Sequence, residues 1–97
     1  MRVIALRTLR EFWQRHPQDE IPLRAWHAVA IRADWKTPAD VKADYRQTSF
    51  LAGNRVVFNI KGNDYRLIAA LHYRRGLLYV RFVGTHRNYD RIDAATI

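Results

Sequence analysis

From Arg55 onward the chain alternates polar and apolar residues, and two glycine-containing turns cut this stretch into three lengths. A repeat of two is the signature of strands with one buried face. The alternation predicts strands over Arg55 to Lys61, Tyr65 to Tyr73 and Leu77 to Thr85. Gly62-Asn63 and Arg75-Gly76 are the two-residue turns between them. This register sets Asn59 opposite Arg66, Arg66 opposite Thr85, Ala70 opposite Arg81 and His72 opposite Tyr79. Val56, Phe58, Ile60, Tyr65, Leu67, Ala69, Leu78, Val80 and Phe82 then share an apolar face. A slip by one residue would exchange the two faces.

An apolar face of that size needs a cover, and the first half of the chain supplies it. Leu6, Leu9, Trp13 and His16 recur at helical spacing, with Phe12 beside them, until Pro17 ends the helix. A second helix starts near Asp19, with Pro22 in its first turn, where no N–H is needed. Its stripe is Leu23, Trp26, Ala30 and Ala33, widened by Val29 and Ile31. Thr37-Pro38-Ala39-Asp40 is a third helix start, with Thr37 as cap, and this helix ends near Tyr45. Arg2 to Ile4 reads as a short edge strand. His16 and His27 lie on helices among apolar residues and read as structural. The fold class expected is α+β: a short N-terminal strand, then two to three helices packed on one face of a mostly antiparallel sheet that ends in a three-stranded meander.

The length of 97 residues suits one domain over 1–97, with no linker or repeat. The absence of cysteine excludes disulfides, thiolate zinc sites and thiol catalysis. No apolar run approaches the ~18 residues of a membrane span. Arg7 and Arg10 interrupt the N-terminal apolar run, so a cytoplasmic protein without a secretory signal is expected. No cofactor or metal site is suggested.

Lys and Arg number 17 against 9 acids, a net charge of +8. Only Lys36, Lys42 and Lys61 are lysines. Arginine grips phosphate with a planar fork and stacks on bases. Nucleic acid is the partner this balance favours; a solubility charge and an acidic protein partner are the alternatives.

The polar face of the expected sheet carries Arg55, Asn59, Lys61, Arg66, His72, Tyr79 and Arg81, with Asp64 as its one acid. Many antiparallel sheets have a wet side without function. Cations interleaved with rings are nonetheless the composition of a nucleic-acid platform. Beyond the last strand, His86 and Tyr89 are three residues apart and project to one side of a helical turn, within reach of Arg66. Histidine can act as acid or base near neutral pH, and arginine can stabilise a phosphorane's charge. Surface histidine and rim tyrosine are the plainer readings.

The run Val57-Phe58-Asn59-Ile60-Lys61-Gly62-Asn63-Asp64-Tyr65-Arg66-Leu67, the segment Tyr79-Val80-Arg81 and the end Thr85-His86-Arg87-Asn88-Tyr89-Asp90 resemble the HigB toxins of bacterial type II toxin–antitoxin systems, relatives of the RelE messenger-RNA endonucleases. The resemblance implies a RelE-like fold and ribosome-dependent cleavage of translated mRNA without metal. The 2′-hydroxyl would attack, leaving a 2′,3′-cyclic phosphate or 3′-phosphate. It also implies a HigA-like helix-turn-helix antitoxin, with operator DNA bound only through that partner. Carried over by position, Arg66 would hold the scissile phosphate. His86 and Tyr89 would share acid–base and stacking duties, with Lys61 and Arg81 stabilising charge from the same face. Arg55, Asn59, Asn63, His72, Tyr79 and Arg87 would contact RNA. Phe82 stands where some relatives have an acid; the expected register turns it to the core. The competing function is a non-catalytic protein of the same fold, either a ParE-like gyrase poison or an RNA-binding module.

Overall fold

A computed structural model of the chain describes residues 1–62 and 64–97. Asn63, expected in the first turn and as an RNA contact, lies outside the described residues. In chain order the elements are β1 (Arg2–Ile4), α1 (Leu6–Arg15), a 3-10 turn (Pro17–Asp19), α2 (Glu20–Arg32), α3 (Pro38–Asp44), β2 (Ser49–Leu51), β3 (Arg55–Ile60), β4 (Tyr65–His72), a second 3-10 turn (Tyr73–Arg75), β5 (Leu77–Thr85) and α4 (His86–Tyr89). The sheet order is β1-β5-β4-β3-β2. β1 runs parallel to β5, and the other pairs are antiparallel. The α+β arrangement expected from the periodicities is the one observed.

The helical half follows its local signals. Pro17 closes α1, and Pro22 sits in the first turn of α2. Thr37 and Asp40 form a reciprocal capping box at α3: Asp40 N donates to Thr37 Oγ1 (3.3 Å) and Thr37 N to Asp40 Oδ2 (3.1 Å). Leu23, Trp26 and Ala30 are buried, but Val29 and Ile31 are exposed at 42% and 49%. They flank Ala30 by one helical step each, about 100° to either side, so they fall outside the buried stripe instead of widening it.

These helices cover one face of the sheet. Val56, Phe58, Ile60, Tyr65, Leu67, Ala69, Leu71, Leu78 and Val80 pack with Leu9, Phe12, Trp13, Leu23, Trp26 and Trp35. Phe58 is the hub, with the rings of Trp26, Tyr45 and Trp35 at 5.3, 5.4 and 6.0 Å.

Three sequence expectations are corrected in the sheet. β2 adds a strand at Ser49–Leu51, so the antiparallel part has four strands. Three residues are too few to give a readable alternation, although Gly53 and Asn54, both left-handed, form the turn that joins β2 to β3. The second hairpin also has a longer loop: His72 pairs with Leu77 and Ala70 with Tyr79, a shift of two from the expected register. A shift of two keeps each side chain on its face. The third correction does not preserve faces. Between Ile68 and Ala69 the ladder skips a residue on β5: Ala69 pairs with Val80 and Ile68 with Phe82, leaving Arg81 as a bulge. Beyond it Arg66 pairs with Gly84, not Thr85. Phe82 therefore turns away from the helices and joins Val57 and Ile68 on the opposite face.

That opposite face is partly covered as well. Ala94 is buried against Val57 and Ile68, with Leu51, Phe82, Tyr89, Ile92 and Ile97 packed around them. The polar face expected to run unbroken from Arg55 to Arg66 is thus divided by an apolar island.

Candidate active site

One end of the divided face is built by the β5–α4 junction. Thr85 caps α4: Asn88 N donates to Thr85 Oγ1 (3.2 Å), and Thr85 N donates to Asn88 Oδ1 (3.3 Å). This reciprocal box forces the chain into one helical turn directly after the strand. His86 opens that turn and Tyr89 closes it, so the two lie three residues apart on a turn packed against both β4 and β5. The Arg66 guanidinium lies 4.9 Å from the centre of the Tyr89 ring, a cation–π distance. Among the described residues, Arg66 Nε and His86 Nε2 are buried without a hydrogen-bond partner. Buried polar nitrogens are seldom left unmatched. Here two belong to the groups that the sequence marks for phosphate and proton chemistry.

Gly84 makes this close packing possible. A Cβ there would lie 2.5 Å from Phe82 Cζ and 3.0 Å from Asn88 Cβ. Sequence reasoning passed over Gly84, Thr85 and Asn88 as working parts. A glycine near a strand end followed by Thr-x-x-Asn was the available signal.

The remaining candidates are distributed elsewhere. Arg55, His72, Tyr79 and Arg81 gather at the other end of the face, lining a cleft of about 300 Å³ with Ala70. The His72 and Tyr79 rings meet edge-to-face at 5.5 Å. They are diagonal neighbours, not the directly opposed pair expected. Arg81 lies three residues along β5 from Gly84, the partner of Arg66, which is about 10 Å of strand. The structure thus groups Arg81 with Arg55, His72 and Tyr79 and not beside Arg66.

Lys61 leaves the strand in a left-handed conformation, φ 54. It lines a groove with Pro22, Ala25, Trp26 and Val29 of α2. This draws it toward the helix side, where its charge acts on Asp19. Asn59 pairs with Arg66 as expected, and its amide donates to Gln47 O (3.2 Å), tying down the segment before β2. Arg87 is exposed on α4.

Asp19 is a feature that sequence reasoning did not single out. It is fully buried, and among the described residues neither carboxylate oxygen has a hydrogen-bond partner. Burial pushes its carboxyl up to about 6; Lys61 pulls it down and Asp64 pushes it up by smaller amounts. Burial likewise pulls the His27 imidazole down, consistent with a structural residue on α2. Among the described residues no three His, Cys, Asp or Glu side chains lie together as a metal-binding group. Among the same residues no helix is long and apolar enough to cross a membrane.

Residues 19–92 match the HigB_toxin family, described as the RelE-like toxic component of a toxin-antitoxin system. The chain is 27% identical over 96 residues to the mRNA interferase toxin HigB of Escherichia coli (strain K12), an alignment covering 97% of this chain and 92% of that protein. The mRNA interferase HigB of Shigella flexneri matches to the same extent. The mRNA interferase HigB of Escherichia coli O6:H1 is 23% identical over 94 residues, 95% of this chain and 91% of its own. The family match spans α2, α3, Arg66 and the capped turn, and the chain therefore belongs to the HigB family of RelE-like toxins, each the toxic half of a toxin–antitoxin pair.

Proposed function

We propose that this toxin is a ribosome-dependent endoribonuclease that cleaves translated mRNA by attack of a ribose 2′-oxygen on the adjacent phosphate. The observation that carries the reading is the meeting of Arg66 and Tyr89 at 4.9 Å, with His86 opening the same helical turn that Tyr89 closes. The name mRNA interferase, carried by the relatives, supports the same substrate.

Three needs define the reaction. The 2′-hydroxyl must lose its proton, the phosphorus must carry extra negative charge, and the 5′-oxygen must gain a proton as its bond to phosphorus breaks. The guanidinium of Arg66 answers the second need without changing protonation state. His86 and Tyr89 answer the first and third between them, and the Tyr89 ring offers a stacking face for a base. The products are a 2′,3′-cyclic phosphate and a 5′-hydroxyl, and no step requires a metal. Arg55, Asn59, His72, Tyr79, Arg81 and Arg87 hold flanking RNA, helped by a net charge of +8 that draws the protein toward ribosomal RNA. Lys61 adds positive charge at the hairpin edge. A HigA-like helix-turn-helix antitoxin in the same cytoplasm restrains the activity, and operator DNA is reached only through it.

Mapping mRNA 5′ ends after a pulse of expression tests this. New ends within translated frames are expected from the native chain. Arg66→Ala should reduce them by about 10²–10³, the effect of losing one transition-state charge contact. Growth arrest with intact mRNA and broken DNA would instead identify a ParE-like poison. Cleavage unchanged in both Arg66→Ala and His86→Ala would show that the site lies elsewhere.

A further inference from the structure

The segment after α4 lies across the face opposite the helices, and it is ordered by its own bonds. Asp93 O accepts from Thr96 N (3.2 Å) and Ile97 N (3.1 Å), and Asp93 Oδ1 accepts from Ala95 N (3.1 Å). Ala94 is the one buried side chain of this turn, seated on Val57 and Ile68. The far end of the segment reaches the second polar cluster. Ile97 O accepts from Arg55 Nε (3.1 Å) and Nη2 (2.8 Å), and Arg81 Nε points at the same oxygen from 3.4 Å. Arg55 is braced by a third bond, Nη1 to Gly53 O (2.9 Å).

Two guanidinium groups converging on one oxygen is the arrangement that holds a phosphate. Arg55 gives that oxygen two N–H groups, whereas Arg81 reaches it only with Nε at 3.4 Å and its side chain makes no other hydrogen bond among the described residues, so the Arg81 fork is left largely free. The walls suit a nucleotide as well: His72 and Tyr79 present two rings in the same cleft as Arg55 and Arg81. The segment itself is complementary to a basic surface, with Asp90 and Asp93 supplying two of the three acids that follow residue 48. Its hold is smaller than that of the helix side: Ala94 is buried, Ile92 and Ile97 are partly buried beside it, and one oxygen is shared by two arginines.

We infer that Arg55 and Arg81 form a phosphate subsite for single-stranded RNA, and that residues 92–97 are a displaceable strap occupying that subsite until RNA competes the Ile97 oxygen away. The inference rests on RNA being the substrate. It adds a second anchoring point about 13 Å along β4 from Arg66, the span from Arg66 to Ala70. Binding at that point is coupled to release of the strap. Because the strap lowers the fraction of competent protein, it lowers apparent RNA affinity by the same factor.

Hydrogen exchange on the full-length native protein, with and without a fully 2′-O-methylated oligoribonucleotide that cannot undergo 2′-attack, tests this. RNA is expected to speed exchange at the amides of Ala95, Thr96 and Ile97 by about tenfold, while amides of β4 stay protected. Slower or unchanged exchange at those amides in the RNA complex would overturn the strap. A second arm removes residues 92–97. The shortened chain should bind the same oligoribonucleotide about threefold to tenfold more tightly, and Arg55→Ala should cost more affinity in it than in the intact chain. Equal affinity of the intact and shortened chains, with equal Arg55→Ala effects, would leave the Arg66 site standing and remove the strap. No binding by either form would remove the RNA reading itself. If the shortened chain fails to fold, exchange on the intact chain still decides.

Discussion

The two faces of β3, β4 and β5 come from the same strands but are held by different means. On the helix side, Phe58, Leu67, Leu71 and Leu78 are closed off by helices from the first half of the chain, and one continuous cluster results. On the other side Val57, Ile68 and Ala94 form a small island, roofed by a short local segment, between two polar ends. The first face carries the free energy of folding. The second carries the proposed site, on a surface whose packing can open locally without unfolding the sheet.

The largest contrast should come from truncating one ring on each side. Phe58→Ala removes a fully buried ring with three aromatic neighbours and is expected to cost about 3–5 kcal/mol in urea or thermal unfolding. Phe82→Ala removes a half-buried ring from the island and should cost about 1–2 kcal/mol, within the range for partial burial. Equal losses would mean that the two faces form one core, and the division drawn above would fall.

The helix side also hides a cost. Asp19 is buried without hydrogen-bond partners among the described residues, and its folded-state pKa of about 6 lies above the ordinary 3.8. The folded form therefore binds a proton more tightly than the unfolded form does. Stability contributed by this group is greatest below about pH 4 and falls as pH rises to about 6, after which it is level. The difference between about 6 and 3.8 corresponds to about 3 kcal/mol at neutral pH. Asp19→Asn should raise stability at pH 7 by about 2–3 kcal/mol and flatten the loss between pH 4 and pH 6, measured by unfolding across that range. An unchanged pH profile would show that Asp19 is solvated after all and that the helix-side face is wetter at α2 than it looks.

The legibility of this molecule in its sequence follows the same division. Helix starts and stops came from Pro17, Pro38 and Thr37, which act within a turn of themselves. The helix-side strand face came from alternation, and the two-residue error at the Tyr73–Gly76 loop did no harm because a shift of two preserves it. The bulge at Arg81 was not readable: an extra residue leaves the local pattern of alternation intact and changes only which partner each side chain meets. That hidden step put Phe82 on the wrong face and made one platform out of two polar clusters, and together with the loop error it placed Thr85 instead of Gly84 opposite Arg66. The segment from Arg91 onward, with no periodicity, gave no hint that it lies on the sheet. Arg66 and Tyr89 still meet, with His86 on the same turn as Tyr89, because the sheet end and the turn that follows it survive a shift of one residue.

The smallest effect expected on stability is the most informative about the second face. Thr85→Ala removes the oxygen that accepts Asn88 N at the start of α4 and should cost about 1 kcal/mol, the usual range for a lost cap. Because α4 is a single turn outside the helix-side cluster, much of that loss should appear as local fraying, with faster exchange at Asp90 N and a nearly unchanged unfolding midpoint. Fraying would let Tyr89 drift from Arg66 and His86 from the turn it opens, so RNA cleavage should fall well before stability does. Thr85→Ser keeps the hydroxyl and should restore both exchange protection and cleavage. A Thr85→Ala protein that cleaves normally while its α4 amides exchange freely would show that the turn need not be formed for the reaction. A protein that loses several kcal/mol would show that the capped turn belongs to the main core, joining the two faces that the contrast between Phe58 and Phe82 separates.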